Sequence, residues 1–200
     1  GHRVRGIDNL SREKLVLKMG SQSVTPVNNR KINWDVIIGD VLDYEFLKNE
    51  IQLYQPDVIV HLAEQPSAPF SMKDVESCVM TQKNNILGTL NVIWAMREVC
   101  PKALLVKLGT LGEWSDWIYE GVPIPESSRI KVRYCGKDIE IPAPRFTGSF
   151  YHFSKIYDSF NIEFACRLWN LKSVDIMQGP VYGLLKEMDS NHYTRIDIDE

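Results

Sequence analysis

Three side chains in this chain have the types and the order needed to move a proton and a hydride together: Thr110, Tyr151 and Lys155. Tyr151 and Lys155 stand four residues apart, so on a helix they share one face. A free phenol titrates near pH ~10 and is a poor base at neutral pH. An ammonium one turn away favours the phenolate. The pair can then take the proton of an alcohol while hydride leaves the carbon that bears it. A Tyr-x-x-x-Lys pair alone is as readily a solvated helix face. Position gives it weight, because Thr110 closes the apolar run Leu104-Leu-Val-Lys-Leu-Gly-Thr110 at the carboxyl end of an expected strand, where ligands bind in open parallel sheets. A hydroxyl there can bond the oxygen that Tyr151 deprotonates.

Other polar residues fall at comparable strand ends. Asp8 closes Arg5-Gly-Ile-Asp8, and a carboxylate there accepts from both ribose hydroxyls of an adenosine and repels a 2′-phosphate, favouring NAD over NADP. The competing reading of Asp8 is a helix N-cap. In Asp40-Val-Leu-Asp43, Asp40 is placed to accept from an adenine amino group and Val41 to pack on the ring, while Asp43 opens the next helix. In the run His61-Leu-Ala-Glu-Gln65, the small residues let the backbone approach a pyrophosphate or ribose, so Leu62, Ala63 and Glu64 are expected against the cofactor. His61 reads as a core or edge histidine. Asn85, inside an apolar helix, reads as a brace for the Thr110 strand through neighbouring backbone.

These residues need a scaffold that alternates strands and helices. Strand-like runs cover 2–8, 35–41, 57–63, 104–110 and 173–181, nearly apolar throughout, as in a parallel sheet covered on both faces. Helical patterns cover 44–54, 75–99 and 151–170; in the second, Ile86, Leu90, Ile93 and Met96 recur at helical spacing. Pro56 and Pro101 stop helices ahead of the next strands. Residues 129–141 break the alternation: apolar–polar alternation on both sides of Cys135-Gly136-Lys137 predicts a β-hairpin, expected as an insertion ahead of the Tyr151 helix. The fold class is therefore α/β, a Rossmann-like doubly wound parallel sheet with a hairpin insertion.

The totals fit one soluble domain. Of 200 residues, 44% are hydrophobic and 24% charged, with a net charge of -3. No basic face is expected to attract nucleic acid. No apolar run approaches the ~20 residues of a spanning helix, so no membrane insertion is expected. The four cysteines and four histidines are scattered. They suggest reduced thiols in a cytoplasmic setting and no metal site. No glycine-rich G-x-G-x-x-G turn occurs, so residues 1–200 are expected to be a partial NAD-binding domain without its first βα unit, part of a protein of roughly 300–400 residues.

Together the motifs resemble the extended short-chain dehydrogenase/reductase family. The resemblance runs through Asp8-Asn-Leu, His61-Leu-Ala, Asn85-x-x-Gly-Thr-Leu-Asn91, Thr110, Tyr151-x-x-x-Lys155 and Gly179-Pro-Val-Tyr-Gly183. Longer blocks are similar to its sulfosugar-forming branch, the UDP-sulfoquinovose synthases: Ser23-Val-Thr-Pro26, Glu64-Gln-Pro-Ser-Ala-Pro-Phe-Ser-Met72, Lys107-Leu-Gly-Thr-Leu-Gly-Glu113 and Ser149-Phe-Tyr-His-Phe-Ser-Lys155. That resemblance implies NAD as cofactor and UDP-glucose and sulfite as substrates. C4 of the sugar is oxidised, water is lost across C5 and C6, sulfite adds at C6, and hydride returns to C4. Thr110, Tyr151 and Lys155 would serve the C4 steps, with Glu113 and His152 as the acid and base of the elimination. Asn9 and Gln178 join the cofactor set, and Gln65, Ser67 and Gln178 join the substrate set. A homodimer is implied, and a chloroplast stroma if the source is a plant or alga. A 4-epimerase, a 4,6-dehydratase and a non-catalytic nucleotide-binding fragment are the alternatives.

Overall fold

A computed structural model describes residues 1–12 and 35–179. The block at 23–26 and the residues from Pro180 onward, including the end of the last expected strand, lie outside them. In chain order the elements are β1 (Arg5–Asp8), β2 (Asp35–Ile38), α1 (Tyr44–Tyr54), β3 (Val58–His61), α2 (Ala68–Lys73) and α3 (Val75–Gln82). A π-helical segment (Lys83–Leu87) joins α3 to α4 (Gly88–Val99). Then come β4 (Leu104–Thr110), a 3₁₀ turn (Leu111–Trp114), α5 (Ser115–Tyr119), β5 (Arg129–Tyr134), β6 (Lys137–Pro142), α6 (Phe150–Trp169) and β7 (Lys172–Gln178).

Local chemistry sets the boundaries. The Asp43 carboxylate accepts from the Phe46 N–H at 3.1 Å and starts α1, and Gln55 ends it in the left-handed region at φ 47°. Asn170 ends α6 in the same way at φ 56°. The hairpin turn sits at Cys135 and Gly136, both at positive φ, as a tight two-residue hairpin loop requires. Within the expected helix at 75–99, five residues adopt π geometry around the buried Asn85. Such bulges gather at functional sites because they turn one side chain out of the helical register.

The parallel strands form two ladders, β1–β2 and β3–β4–β7, with β4 in the middle of the second. Leu47 and Ile51 of α1, Val92, Ala95 and Met96 of α4, Leu105 of β4, and Ile162 and Ala165 of α6 share one core. The fold class is the expected Rossmann-like α/β arrangement. Coverage of the sheet differs from expectation. Helices α4 and α6 pack on the Leu105 face, while on the strands Val60 remains 53% and Ile176 45% exposed. The strands are apolar on both sides, but the described helices cover one. No described helix is long and apolar enough to cross a membrane.

Candidate active site

The parallel register brings the singled-out residues to the carboxyl edge of the strands. Thr110, the last residue of β4, pairs with Gln178, the last of β7. Beyond Thr110 the chain turns at once into the 3₁₀ segment. The Thr110 hydroxyl oxygen accepts from the Gly112 N–H at 3.2 Å, which leaves the hydroxyl proton available to a substrate oxygen. The first turn of α6 packs against this loop. A Cβ on Gly112 would lie 2.2 Å from Cδ2 and Nε2 of His152, so only glycine permits the approach. The loop bearing Thr110 and the helix bearing Tyr151 are therefore in direct contact.

Several elements fix that first turn. Ser149 caps α6, accepting from the His152 N–H at 3.2 Å, and its hydroxyl meets His152 Nδ1 at 2.8 Å. The Tyr151 N–H donates to Ser71 Oγ of α2 at 3.0 Å. Gln82 donates to the Phe150 carbonyl at 2.6 Å. The Tyr151 and His152 rings lie 5.0 Å apart, and the half-buried His152 ring lies against Gly112 of the Thr110 loop.

Lys155 is buried one turn further along, and its ammonium binds the Glu64 carboxylate. The other Glu64 oxygen lies 3.7 Å from His61 Nε2, which contacts the Thr89 hydroxyl at 3.1 Å. Burial holds His61 below the usual imidazole range, which keeps it neutral. Asp158, three residues beyond Lys155 and fully buried, is pushed up to about 8, first by desolvation and then by the Glu64 charge. It carries a proton at neutral pH. The expected Glu64 contact was to a cofactor; here its side chain holds Lys155. Asp158 escaped the sequence reading, although a carboxylate three residues beyond Lys155, among Ile156, Ile162 and Ala165, was a visible signal.

A second buried cluster lies behind Thr110. Lys107, fully buried in mid-strand, reaches Glu113 Oε1 at 3.0 Å, the Lys155 carbonyl at 3.1 Å, Ser159 Oγ at 2.8 Å and Asp175 Oδ2 at 3.2 Å. Burial opposes its charge, but the carboxylates of Glu113 and Asp175 prevail and raise its pKa above the ordinary lysine value. Glu113 is fully buried. Its Oε1 also accepts from the Thr110 N–H at 3.3 Å, and its Oε2 accepts from Arg145 at 2.9 Å and Ser159 at 2.8 Å. A carboxylate so committed braces the loop; it presents no free oxygen for the acid or base role expected of it. Lys107, Asp175, Ser159 and Arg145 were missed. The signal was a lysine in the centre of an apolar strand.

At the cofactor edge, the Asn9 amide donates to Asp40 Oδ2 at 2.9 Å, bringing the ends of β1 and β2 together. Asp8 is exposed and accepts from the Leu10 N–H at 2.7 Å, leaving its other oxygen without that bond. Val41 does not stand out for a ring to pack on. Its side chain is buried, and a Cβ on Gly88 would come within 2.8 Å of it. Leu62 and Ala63 are exposed beyond β3. Asn85 grips the Gln65 backbone, accepting at 2.8 Å and donating at 3.1 Å, and donates to Ser154 of α6 at 2.9 Å. Its brace is thus to the loop after β3 and to α6, and not to the Thr110 strand as expected. Gln65 in turn accepts from the Ser67 N–H, and Ser67, buried, caps α2. Among the described residues no three His, Cys, Asp or Glu side chains gather as a metal site.

Known proteins resemble this chain in sequence and in fold. UDP-sulfoquinovose synthase, chloroplastic, of Spinacia oleracea is 39% identical across 96% of this chain and 42% of its own length. UDP-sulfoquinovose synthase of Sulfolobus acidocaldarius is 39% identical across 100% of this chain and 53% of its own. The chain thus spans about half the length of these curated relatives. Among solved structures, UDP-glucose 4-epimerase of Thermotoga maritima with UDP-glucose superposes with a TM-score of 0.63 at 22% identity, over 92% of this chain and 49% of that one. The Thermus thermophilus UDP-glucose 4-epimerase complex with NAD gives 0.61 at 21%, over 91% and 56%. Those likenesses establish the Rossmann fold. The strand-edge arrangement of Thr110 and Tyr151 stands on a chain whose residues 1–110 match the family model described as GDP-mannose 4,6 dehydratase, and the chain belongs to that family of the extended short-chain dehydrogenase/reductases.

Proposed function

We propose that the protein of which this chain is part makes UDP-sulfoquinovose from UDP-glucose and sulfite, by C4 oxidation, dehydration, sulfite addition and re-reduction with NAD. The observation that carries the C4 chemistry is the packing of the Thr110 loop on the first turn of α6, with Gly112 against His152. It brings the loop that begins at Thr110 against the helix turn that carries His152, next in sequence to Tyr151. The choice of sulfosugar chemistry rests on the two relatives so named, each 39% identical over nearly all of this chain.

NAD, when bound, takes hydride from sugar C4 and later gives it back. Exposed Asp8, with Asn9 and Asp40 drawn together beside it, suits an adenosine ribose and disfavours a 2′-phosphate. Leu62, Ala63 and Glu64 line the approach beyond β3, and Gln178 stands beside Thr110. Tyr151 takes the 4-hydroxyl proton, Thr110 donates to that oxygen, and Lys155 supplies the charge that favours the phenolate. The 4-ketone makes the C5 proton acidic. His152 then serves the C5–C6 elimination, while Glu113 acts by holding the loop. Gln65 and Ser67 are assigned to substrate or sulfite. The reaction belongs in the cytoplasm or, in a plant or alga, the chloroplast stroma.

The test uses the full-length protein with UDP-glucose, NAD and sulfite, followed by mass spectrometry. A sulfonated UDP-hexose that needs sulfite and disappears in Tyr151→Phe is expected. A product formed equally well without sulfite would replace this reading with a 4-epimerase or 4,6-dehydratase, which the matching family description favours. Failure of every UDP-hexose to reduce bound NAD would leave a nucleotide-binding module.

A further inference from the structure

The Lys107 cluster joins β4 and its turn, which carry Thr110, to α6, which carries Tyr151 and Lys155, and to β7. Its ammonium has three protons and four oxygen partners within 3.2 Å, so at least one proton is shared. Glu113 belongs to the turn that follows Thr110, the Lys155 carbonyl and Ser159 belong to α6, and Asp175 belongs to β7. The side chains of Lys107 and Glu113 are 0% exposed and that of Arg145 is 3%. Gly109, one residue before Thr110, makes the room. A Cβ there would lie 2.4 Å from Asp175 Oδ1 and 3.0 Å from Glu113 Oε1. The strand thus gives up a side chain near its carboxyl end to house four charges that balance.

Stability is a poor reason for such a cluster. Burying ions carries a desolvation cost that their attraction often only offsets, and apolar replacements are frequently as stable. Geometry is the better reason, because charged hydrogen bonds are directional and tolerate one arrangement. We propose that Lys107 is a positioning residue, which through Glu113, Ser159 and the Lys155 carbonyl fixes the Thr110 loop and the Tyr151–Lys155 helix turn at the spacing hydride transfer requires. The proposal rests on the reading of Thr110, Tyr151 and Lys155 given above.

The test compares full-length wild type with Lys107→Met, Lys107→Arg and Gly109→Ala. Lys107→Arg keeps the charge, but its planar fork does not reproduce the ammonium's four contacts. Gly109→Ala disturbs the cradle and leaves Lys107 in place. Misplacing a reacting group by about 1 Å can cost about a hundredfold in rate. Lys107→Met is expected to lower kcat for UDP-glucose-dependent NAD reduction about a hundredfold, and the other two about tenfold, with KM within about threefold of wild type. The second measurement needs neither substrate nor cofactor. An ultraviolet pH titration of each protein, minus that of its Tyr151→Phe counterpart, isolates the Tyr151 phenol. Its midpoint is expected to rise in all three variants, and the rise in Lys107→Arg separates geometry from charge.

Variants that melt at lower temperature but keep kcat and the Tyr151 midpoint would overturn the proposal. A normal midpoint in Lys107→Arg with a raised one in Lys107→Met would overturn it too, in favour of a charge effect. If Lys107→Met does not fold, Lys107→Arg and Gly109→Ala decide the matter. If wild type itself fails to reduce NAD, the functional reading fails separately, and the phenol titration still tests the positioning.

Discussion

Asp158 is a carboxyl group that the fold withdraws from water. It lies fully buried on α6, with the Thr89 hydroxyl, the Glu64–Lys155 pair and Lys107 around it. Desolvation and the Glu64 charge push it up to about 8 from an ordinary 3.8. The folded chain therefore holds a proton that the unfolded chain releases near pH ~4. Between those two values the native state binds more protons, so stability falls as pH rises through the window, and the loss is complete above about 8. A tenfold difference in proton affinity between the folded and unfolded chain is worth ~1.4 kcal/mol, so the stability lost across that window is on the order of a few kcal/mol. Asp158→Asn keeps the shape and cannot titrate. Denaturant melts at steps from pH 5 to 9 are expected to show wild type losing stability more steeply than the variant. Parallel curves would mean that Asp158 ionises without cost. The sequence displayed this carboxylate but not its burial, since a helix pattern does not say which neighbours will be charged. Tyr151, Lys155 and Thr110 were legible because their order and spacing specify a chemistry, whereas Lys107 and Asp175 act through tertiary contacts that no local spacing encodes.

At the scale of elements, β4 and α6 were read almost to the residue, and the junction between them was not. Apolar runs and helical periodicity mark where backbone hydrogen bonds close on themselves, so 104–110 and 151–170 were visible. The π segment at Lys83–Leu87 was hidden inside a continuous helical pattern, because the cause of its extra residue is the three bonds Asn85 makes to Gln65 and Ser154. Gly112 likewise looked like an ordinary turn glycine. The structure makes it a contact surface: His152 packs where a side chain would stand, and the bond between His152 Nδ1 and Ser149 keeps that ring from swinging away. Gly112→Ala must displace the loop or the ring. Overpacking of this kind costs about 1–3 kcal/mol. The expected result is a lower melting temperature and at least a tenfold lower kcat, and both penalties should shrink when the same change is made in a His152→Ala background. A double-mutant cycle reads that coupling directly. Additive effects would show that the loop accommodates a methyl group without moving His152.

At the scale of the whole molecule, two apolar stripes face outward among the described residues. On α6, Tyr157, Phe160, Phe164 and Leu168 recur at helical spacing and are 37–57% exposed. Along the neighbouring α3–α4 rod, Val79, Met80, Leu87 and Trp94 are exposed as well. The sequence pattern marked these positions as apolar and so as candidate core; only the packing shows that the core of this chain lies on the opposite sides of both helices. A continuous apolar face across two adjacent helices is more than scattered surface hydrophobics. A second copy of the chain, presenting the same face about a two-fold axis, would bury both stripes at once, because an isologous interface needs one self-complementary patch. We therefore expect the full-length protein to sediment as a homodimer. Phe164→Glu and Leu168→Glu together place two like charges on that face, where unpaired burial is costly. Sedimentation velocity at micromolar concentration is expected to show the double variant as a monomer with a wild-type circular dichroism spectrum. The Gly112–His152 contact lies at the other end of α6, at its first turn, so NAD binding should survive in that monomer. A wild-type monomer, or a double variant still dimeric, would assign the stripes to a different partner surface and separate the oligomeric state from this pair of helices.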